Sequence, residues 1–183
     1  MKLTFTLLGL ILTTVLVAQN QQQANNGNVI KNFGKTYNVS QIDFKTDASK
    51  PYKVVFDIGR DFNNPLEPNA LIESAARFLN MHEKAGVPLK NMRVAIVVHG
   101  SAAKDLLSTN YYMEKVDGAR DNNPNLLLIS ELTNHDVEII LCGQTAASMG
   151  ITKAMIHPNV QISLSAMTAL VQLQNEGYRL INF

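Results

Sequence analysis

The residue with the most chemical potential is Cys142, the chain's single cysteine. It follows the apolar run Ile139-Ile140-Leu141 and precedes Gly143-Gln144-Thr145-Ala146-Ala147. That pattern predicts a strand ending at the thiol and a helix starting just beyond it. Free N–H groups and the dipole at a helix N-terminus favour an anion, and so favour thiolate over thiol. A thiolate attacks sulfane sulfur, disulfides and electrophiles, and the same N–H groups would hold the anionic terminal sulfur of a persulfide. Two further strand-end sequences belong with it, Asp57-Ile58-Gly59 and His99-Gly100-Ser101. Gly59, Gly100 and Gly143 permit sharp turns or close approach of a ligand, and with Ser101 and Gln144 they are the candidate binding residues. His99, if it lies across the crevice, is a candidate proton donor or acceptor near neutral pH. On position alone Cys142 also reads as a packed core thiol, because free cysteine is among the most buried residue types.

Other chemistries lack their residues. One thiol excludes an internal disulfide, a CxxC redox pair and a four-cysteine zinc site. Gly34-Lys35-Thr36 ends like a phosphate-binding loop, but Val29 stands where that loop needs its first glycine. His82-Glu83 starts like a zinc-protease motif, yet residue 86 is Gly. No GxGxxG or GxSxG is present. His99, His135 and His157 have no spacing that requires a metal, so no metal and no cofactor are expected. The net charge of +1 is too small for a partner held mainly by electrostatics, which excludes nucleic acid and an anionic membrane as the main theme.

The elements that must position these residues are legible from Pro51 onward. Strands are predicted over Tyr52–Ile58, Arg93–Val98, Glu138–Leu141, Val160–Leu164 and Tyr178–Phe183. Leu71, Ala75, Phe78 and Leu79 share one helix face, with Pro68 in the first turn and Gly86 as the C-terminal cap. Asn123-Pro124 starts a helix carrying Leu128, Ile129 and Leu132, and Ala166 to Glu176 is a helix closed by Gly177. Strands alternate with helices, and several strands are continuously apolar, as when both sheet faces are covered. The reading is an open α/β fold around a mostly parallel sheet with right-handed crossovers. In such sheets ligands bind beyond the carboxyl ends of the strands.

Ahead of this domain, Met1-Lys2 and the apolar run Leu3–Val17 end at Ala18, the pattern of a cleaved signal peptide over residues 1–18. The run is shorter than the roughly 20 residues of a spanning helix. Its removal takes Lys2 with it and leaves acidic and basic residues in balance. The expected location is outside the cytosol, periplasmic or secreted, with no membrane contact after cleavage. Residues 19–50 read as a polar tether through residue 28, then an extended arm bearing Val29, Ile30, Phe33, Tyr37, Val39, Ile42 and Phe44.

Val98-His99-Gly100, Asn123-Pro124-Asn125, Cys142-Gly143-Gln144, the stretch from Leu164 to Leu170 and the closing Gly177-Tyr178 resemble the DsrE/DsrF-like proteins, exported bacterial members most closely. The resemblance covers about residues 51–183. It implies a three-layer α/β sandwich around a five-stranded, mainly parallel sheet, and assembly as trimers or hexamers. It also implies sulfur carried as a cysteine persulfide and passed along a relay, with Cys142 at the place of the carrier. Two features limit the transfer: the well-understood members are cytosolic, whereas this chain has an export signal, and some members serve only assembly. The expected function is therefore an exported sulfur carrier or sulfurtransferase-type protein, exchanging sulfur with a partner protein or small thiol. The alternative is a small-ligand-binding or oligomer-forming module in which Cys142 only packs and a crevice near Gly59, His99, Tyr111 or Tyr112 and Gln144 holds the ligand.

Overall fold

The apolar runs pair as one sheet. The computed structural model describes residues 24–183. The export signal read at 1–18, and residues 19–23 of the tether, lie outside the described residues. The elements are β1 (Tyr52–Ile58), α1 (Ala70–Lys84), β2 (Met92–Val98), α2 (Thr109–Lys115), α3 (Asn125–Asn134), β3 (Glu138–Cys142), α4 (Gly143–Ser148), β4 (Gln161–Ser163), α5 (Ala166–Asn175) and β5 (Arg179–Asn182). A 3-10 helix over Gly100–Leu106 follows β2. It and α2 are absent from the sequence reading, because neither carries a long apolar period. The strand order is β4-β3-β2-β1-β5, and every pairing is parallel. Among the described residues no helix is long and apolar enough to cross a membrane.

Handedness explains the layers. From β1 to β4 the chain steps in one direction across the sheet. Right-handed crossovers then keep the connecting helices on one face. The last step returns from β4 to the far edge at β5, so its helix, α5, lies on the opposite face. The main core accordingly joins Val54, Phe56, Ile58, Ile96, Val98 and Leu141 to the inner sides of α1 and α3. A smaller core joins Val55, Ala95, Val97 and Ile140 to Ala169 and Leu173 of α5. Small side chains at Ala95 and Ala169 let the helix sit close to the sheet.

The helix starts are built from asparagines. Asn69 caps α1, accepting from the N–H of Leu71 at 2.9 Å. Pro68 thus stands before the cap instead of inside the first turn; the N–H of Asn69 is itself bound, by Asn125 Oδ1 at 2.7 Å. Asn123 Oδ1 accepts from the N–H of Asn125 at 2.9 Å, the expected cap at the start of α3. These amides surround Asp105, whose Oδ2 accepts from Asn69 Nδ2 at 2.7 Å. Burial pushes the Asp105 carboxyl up to about 6, against the hydrogen bonds of Asn69 and Asn125, with Asp61 adding to the rise.

The arm is held by one side chain. Asn80 of α1 is fully buried. Its Oδ1 accepts from the N–H of Ile30 at 2.8 Å. Its Nδ2 donates to the carbonyls of Ile30, Phe33 and Gly34 at 2.9, 3.0 and 3.1 Å. Gly27 packs so tightly on Asn80 that a Cβ there would lie 1.8 Å from its Cγ. Asn25 and Thr36 exchange backbone bonds at 2.8 and 2.9 Å. Residues 25–36 are therefore a docked loop, and the tether gives way to ordered chain before residue 28. From Tyr37 to Phe44 the arm is exposed.

Two predictions follow from these polar centres. Asn80→Ala frees residues 25–36, costing about 2–4 kcal/mol for the lost buried bonds. Hydrogen exchange then speeds at Ile30 and Gly34 and stays slow in β1 and β2. For Asp105, a folded-state value above the unfolded one makes stability fall as pH rises from about 4 to about 6. Asp105→Asn should therefore gain on the wild type by up to about 3 kcal/mol between pH 4 and pH 7, measured by urea unfolding.

Candidate functional site at the carboxyl edge of the sheet

The candidate residues gather through register. The pairing of β2 with β3 ends at Val98 and Leu141. One step further, His99 and Cys142 stand at equivalent places on neighbouring strand ends. The backbone is still extended at both. Their side chains therefore share the face of Val97 and Ile140, the α5 face. Asp57 of β1, opposite Val97, has the same parity.

Cys142 closes β3 and opens α4. It keeps 5% of its surface exposed. Burial pushes the thiol up. The N–H and hydroxyl of Thr145, then the N–H groups of Ala166 and Gln144, outweigh this and hold it below the ordinary cysteine value. Three donors come from the first turn of α4, and the fourth from the start of α5. Thr145 has a second task, since its Oγ1 accepts from the N–H of Gly100 at 3.3 Å. One hydroxyl thus receives from the His99–Gly100 corner and donates to the sulfur.

His99 Nε2–H donates to Asp57 Oδ1 at 2.9 Å, and its side chain is 36% exposed. A carboxylate can only accept, so this bond puts the proton on Nε2 and leaves Nδ1 as the nitrogen that titrates. The backbone N–H of His99 is tied to the carbonyl of Ile58 at 2.9 Å. The arrangement is an oriented imidazole beside a thiol held in an N–H cradle.

The predicted glycines serve the corners and leave no room for a ligand beside them. Gly100 has φ +53, and a Cβ there would lie 2.2 Å from the Gly59 carbonyl oxygen. At Gly143 a Cβ would lie 2.3 Å from the carbonyl oxygen of Ser163, and at Gly59 it would meet the His99 ring at 2.6 Å. The space expected for a bound molecule is filled by the protein's own atoms. Ser101 is also occupied, its Oγ accepting from the N–H of Asp61 at 3.0 Å. Gln144 is exposed, and its Nε2 reaches the Leu164 carbonyl at 3.4 Å. Tyr112 is core, with its hydroxyl on the Pro65 carbonyl at 3.2 Å, and Tyr111 packs partly buried against the same core. Tyr112 lines a separate cavity of about 250 Å³ between Asp61, Lys104 and Asp105, which includes neither His99 nor Cys142.

Among the described residues no group of three His, Cys, Asp or Glu side chains gathers as a metal site requires. His157 is committed elsewhere. Its Nδ1 accepts from the N–H of Asn159 at 3.3 Å, and its Nε2 meets Ser130 Oγ at 3.0 Å. Burial, then Lys153, holds its imidazole below the ordinary value.

Three contributors escaped the sequence reading. Thr145 had a legible signal, a hydroxyl residue three places after a strand-ending cysteine. Asp57 was noted only as part of a turn. The N–H of Ala166 comes from a distant part of the chain and has no local signature.

The geometry predicts that alkylation of Cys142 in the native chain has its pH midpoint below that of the same thiol in unfolded chain. Thr145→Val keeps the volume and removes the hydroxyl. It should raise that midpoint and slow alkylation at pH 7 on the order of tenfold, one charge-assisted hydrogen bond being worth about 1.5–3 kcal/mol. An unchanged profile would show that the hydroxyl does not support the thiolate.

Comparison with known proteins agrees with this architecture. The family model described as "DsrE/DsrF-like family" matches residues 53–183. Two solved structures share the fold. One is the protein of unknown function MTH1491 from Methanobacterium thermoautotrophicum, with TM-score 0.52 and 20% identity over 72% of this chain and 99% of that one. The other is the ychN protein from E.coli, with TM-score 0.51 and 17% identity over 72% of this chain and 99% of that one. No curated protein matches this chain.

Proposed function

This chain belongs to the DsrE/DsrF-like family, and from that premise we propose that it is a sulfur carrier whose Cys142 takes up sulfane sulfur as a persulfide. The observation that carries the reading is the cradle of Thr145, Ala166 and Gln144 donors that holds the Cys142 thiol below its ordinary value. A group that stabilises Cys–S⁻ also stabilises Cys–S–S⁻, since both put one negative charge on sulfur.

The step balances without an outside oxidant. The Cys142 thiolate attacks the outer sulfur of a persulfide R–S–SH. The new S–S bond forms on Cys142, the old one breaks, and R–S⁻ leaves. An acceptor thiolate, on a partner protein or a small thiol, then attacks the outer sulfur and releases the Cys142 thiolate. His99, oriented by Asp57, supplies or removes the proton on the passing sulfur through Nδ1. Residues 1–18 export the protein, so donor and acceptor are met outside the cytosol, in the periplasm or beyond.

The decisive measurement is intact mass after exposure to polysulfide, with no reductant and with Cys142→Ser alongside. The wild type should gain one or more sulfur atoms, removable by reductant, and the serine variant none. Equal gain in both would remove Cys142 from the chemistry. No gain, with Cys142 closed to alkylation until the chain unfolds, would favour the second reading, an assembly or ligand-binding module with Cys142 as a core thiol.

A further inference from the structure

Among the described residues two stretches of large apolar side chains stand uncovered. One is the arm beyond the docked loop, where Tyr37, Val39, Ile42 and Phe44 are all exposed and Phe44 is 96% so. The other is the outer side of α5 and its approach, where Leu164, Met167 and Val171 form one stripe at helical spacing and Met167 is 75% exposed. Beside that stripe, a cleft of about 290 Å³ runs between α5 and the edge strand β4, floored by Ile140 and Leu173 and rimmed by Glu138 and Glu176.

These surfaces match in chemistry. The arm's apolar run is flanked by Lys35 and Lys45, and the cleft is rimmed by two glutamates. Opposite charges at the ends of an apolar contact set its direction. The arm of one molecule is too short to cover its own α5. Thr36 is fixed to Lys84 of α1, and Ala48 packs on the main core, so both ends of the exposed segment are held on the α1 face. Ten residues lie between Thr36 and Asp47. At about 3.4 Å each they supply roughly 34 Å of chain. Crossing two layers about 10 Å apart and returning takes roughly 40 Å.

We infer that residues 37–45 dock on the α5 face of a second copy of this chain, between the Leu164–Met167–Val171 stripe and the Glu138–Glu176 cleft. Two copies exchanging arms in this way form a closed, two-fold pair, since each gives one arm and receives one. The docked loop at Asn80 holds the base of the arm, so that ordering the exposed segment is the only entropy the contact must offset.

Sedimentation velocity on the chain as processed on expression tests this, using Phe44→Glu for the arm and Val171→Glu for the face. Both positions are exposed, so neither change strains the fold, and circular dichroism verifies that. The wild type should self-associate, and each variant should weaken association at least about tenfold. Mixing the two variants should recover assembly, because each supplies the element the other lacks. A monomeric wild type, or an arm variant that assembles like the wild type, overturns the proposal. Loss in the arm variant with Val171→Glu unaffected overturns the α5 pairing and assigns the arm to another surface. Polysulfide loading of Cys142 is read in parallel and stays intact in both variants, which separates this contact from the sulfur chemistry.

Discussion

There is no room for a side chain at Gly100. The carbonyl oxygen of Gly59 occupies the place where its Cβ would be, and everything at the carboxyl edge of the sheet follows from that contact. Two strand ends are brought together at their backbones, so the ring of His99 drops beside Gly59 and onto the Asp57 carboxylate. The positive φ of Gly100 turns its N–H toward Thr145. Thr145 in turn spends its hydroxyl on the Cys142 sulfur. A parallel sheet delivers all its strands to one edge, but proximity alone does not orient a thiol or an imidazole. The glycine corners do that, by letting main chain stand where side chains would otherwise hold the strand ends apart.

The second consequence comes from handedness. Returning from β4 to the far edge forces α5 onto the face that the other helices leave bare. Its N-terminus then sits above the end of β3, where the N–H of Ala166 completes the cradle around the thiol. Its other side faces solvent, with Leu164, Met167 and Val171 uncovered. The element that finishes the sulfur site also leaves the apolar surface to which the arm is assigned.

Buried polar groups specify what the apolar core leaves open. Apolar packing sets the layers, yet it does not select which loop lies on which helix. Asn80 makes that choice for the arm by satisfying both donors and acceptors of a backbone turn. Asn69, Asn123 and Asn125 do so for the starts of α1 and α3, around the Asp105 carboxylate. No buried side-chain nitrogen or oxygen among the described residues lacks a partner. That is why such groups are tolerated inside, where an unpaired one would cost a sizeable fraction of the whole stability.

The strands were legible because their signal is local: apolar runs such as Val94–Val98 read the same in sequence and in space, and burial on both faces keeps them unbroken. The placement of Cys142 at a strand end, and of His99 at another, came from the same runs. The five-stranded sandwich followed from their alternation with helices and from the family resemblance. The donors that depress the thiol did not follow, because Ala166 lies far along the chain and reaches the sulfur only through α5's crossing. Nor did the filling of the glycine corners, since sequence shows that a glycine permits close approach and leaves unsaid whether a ligand or a carbonyl makes it. Asn80 looked like any polar residue on a helix until the turn it holds was in place. Periodicity is a property of neighbouring residues, and register, handedness and corner contacts belong to residues far apart in the chain, so only the tertiary structure decides them.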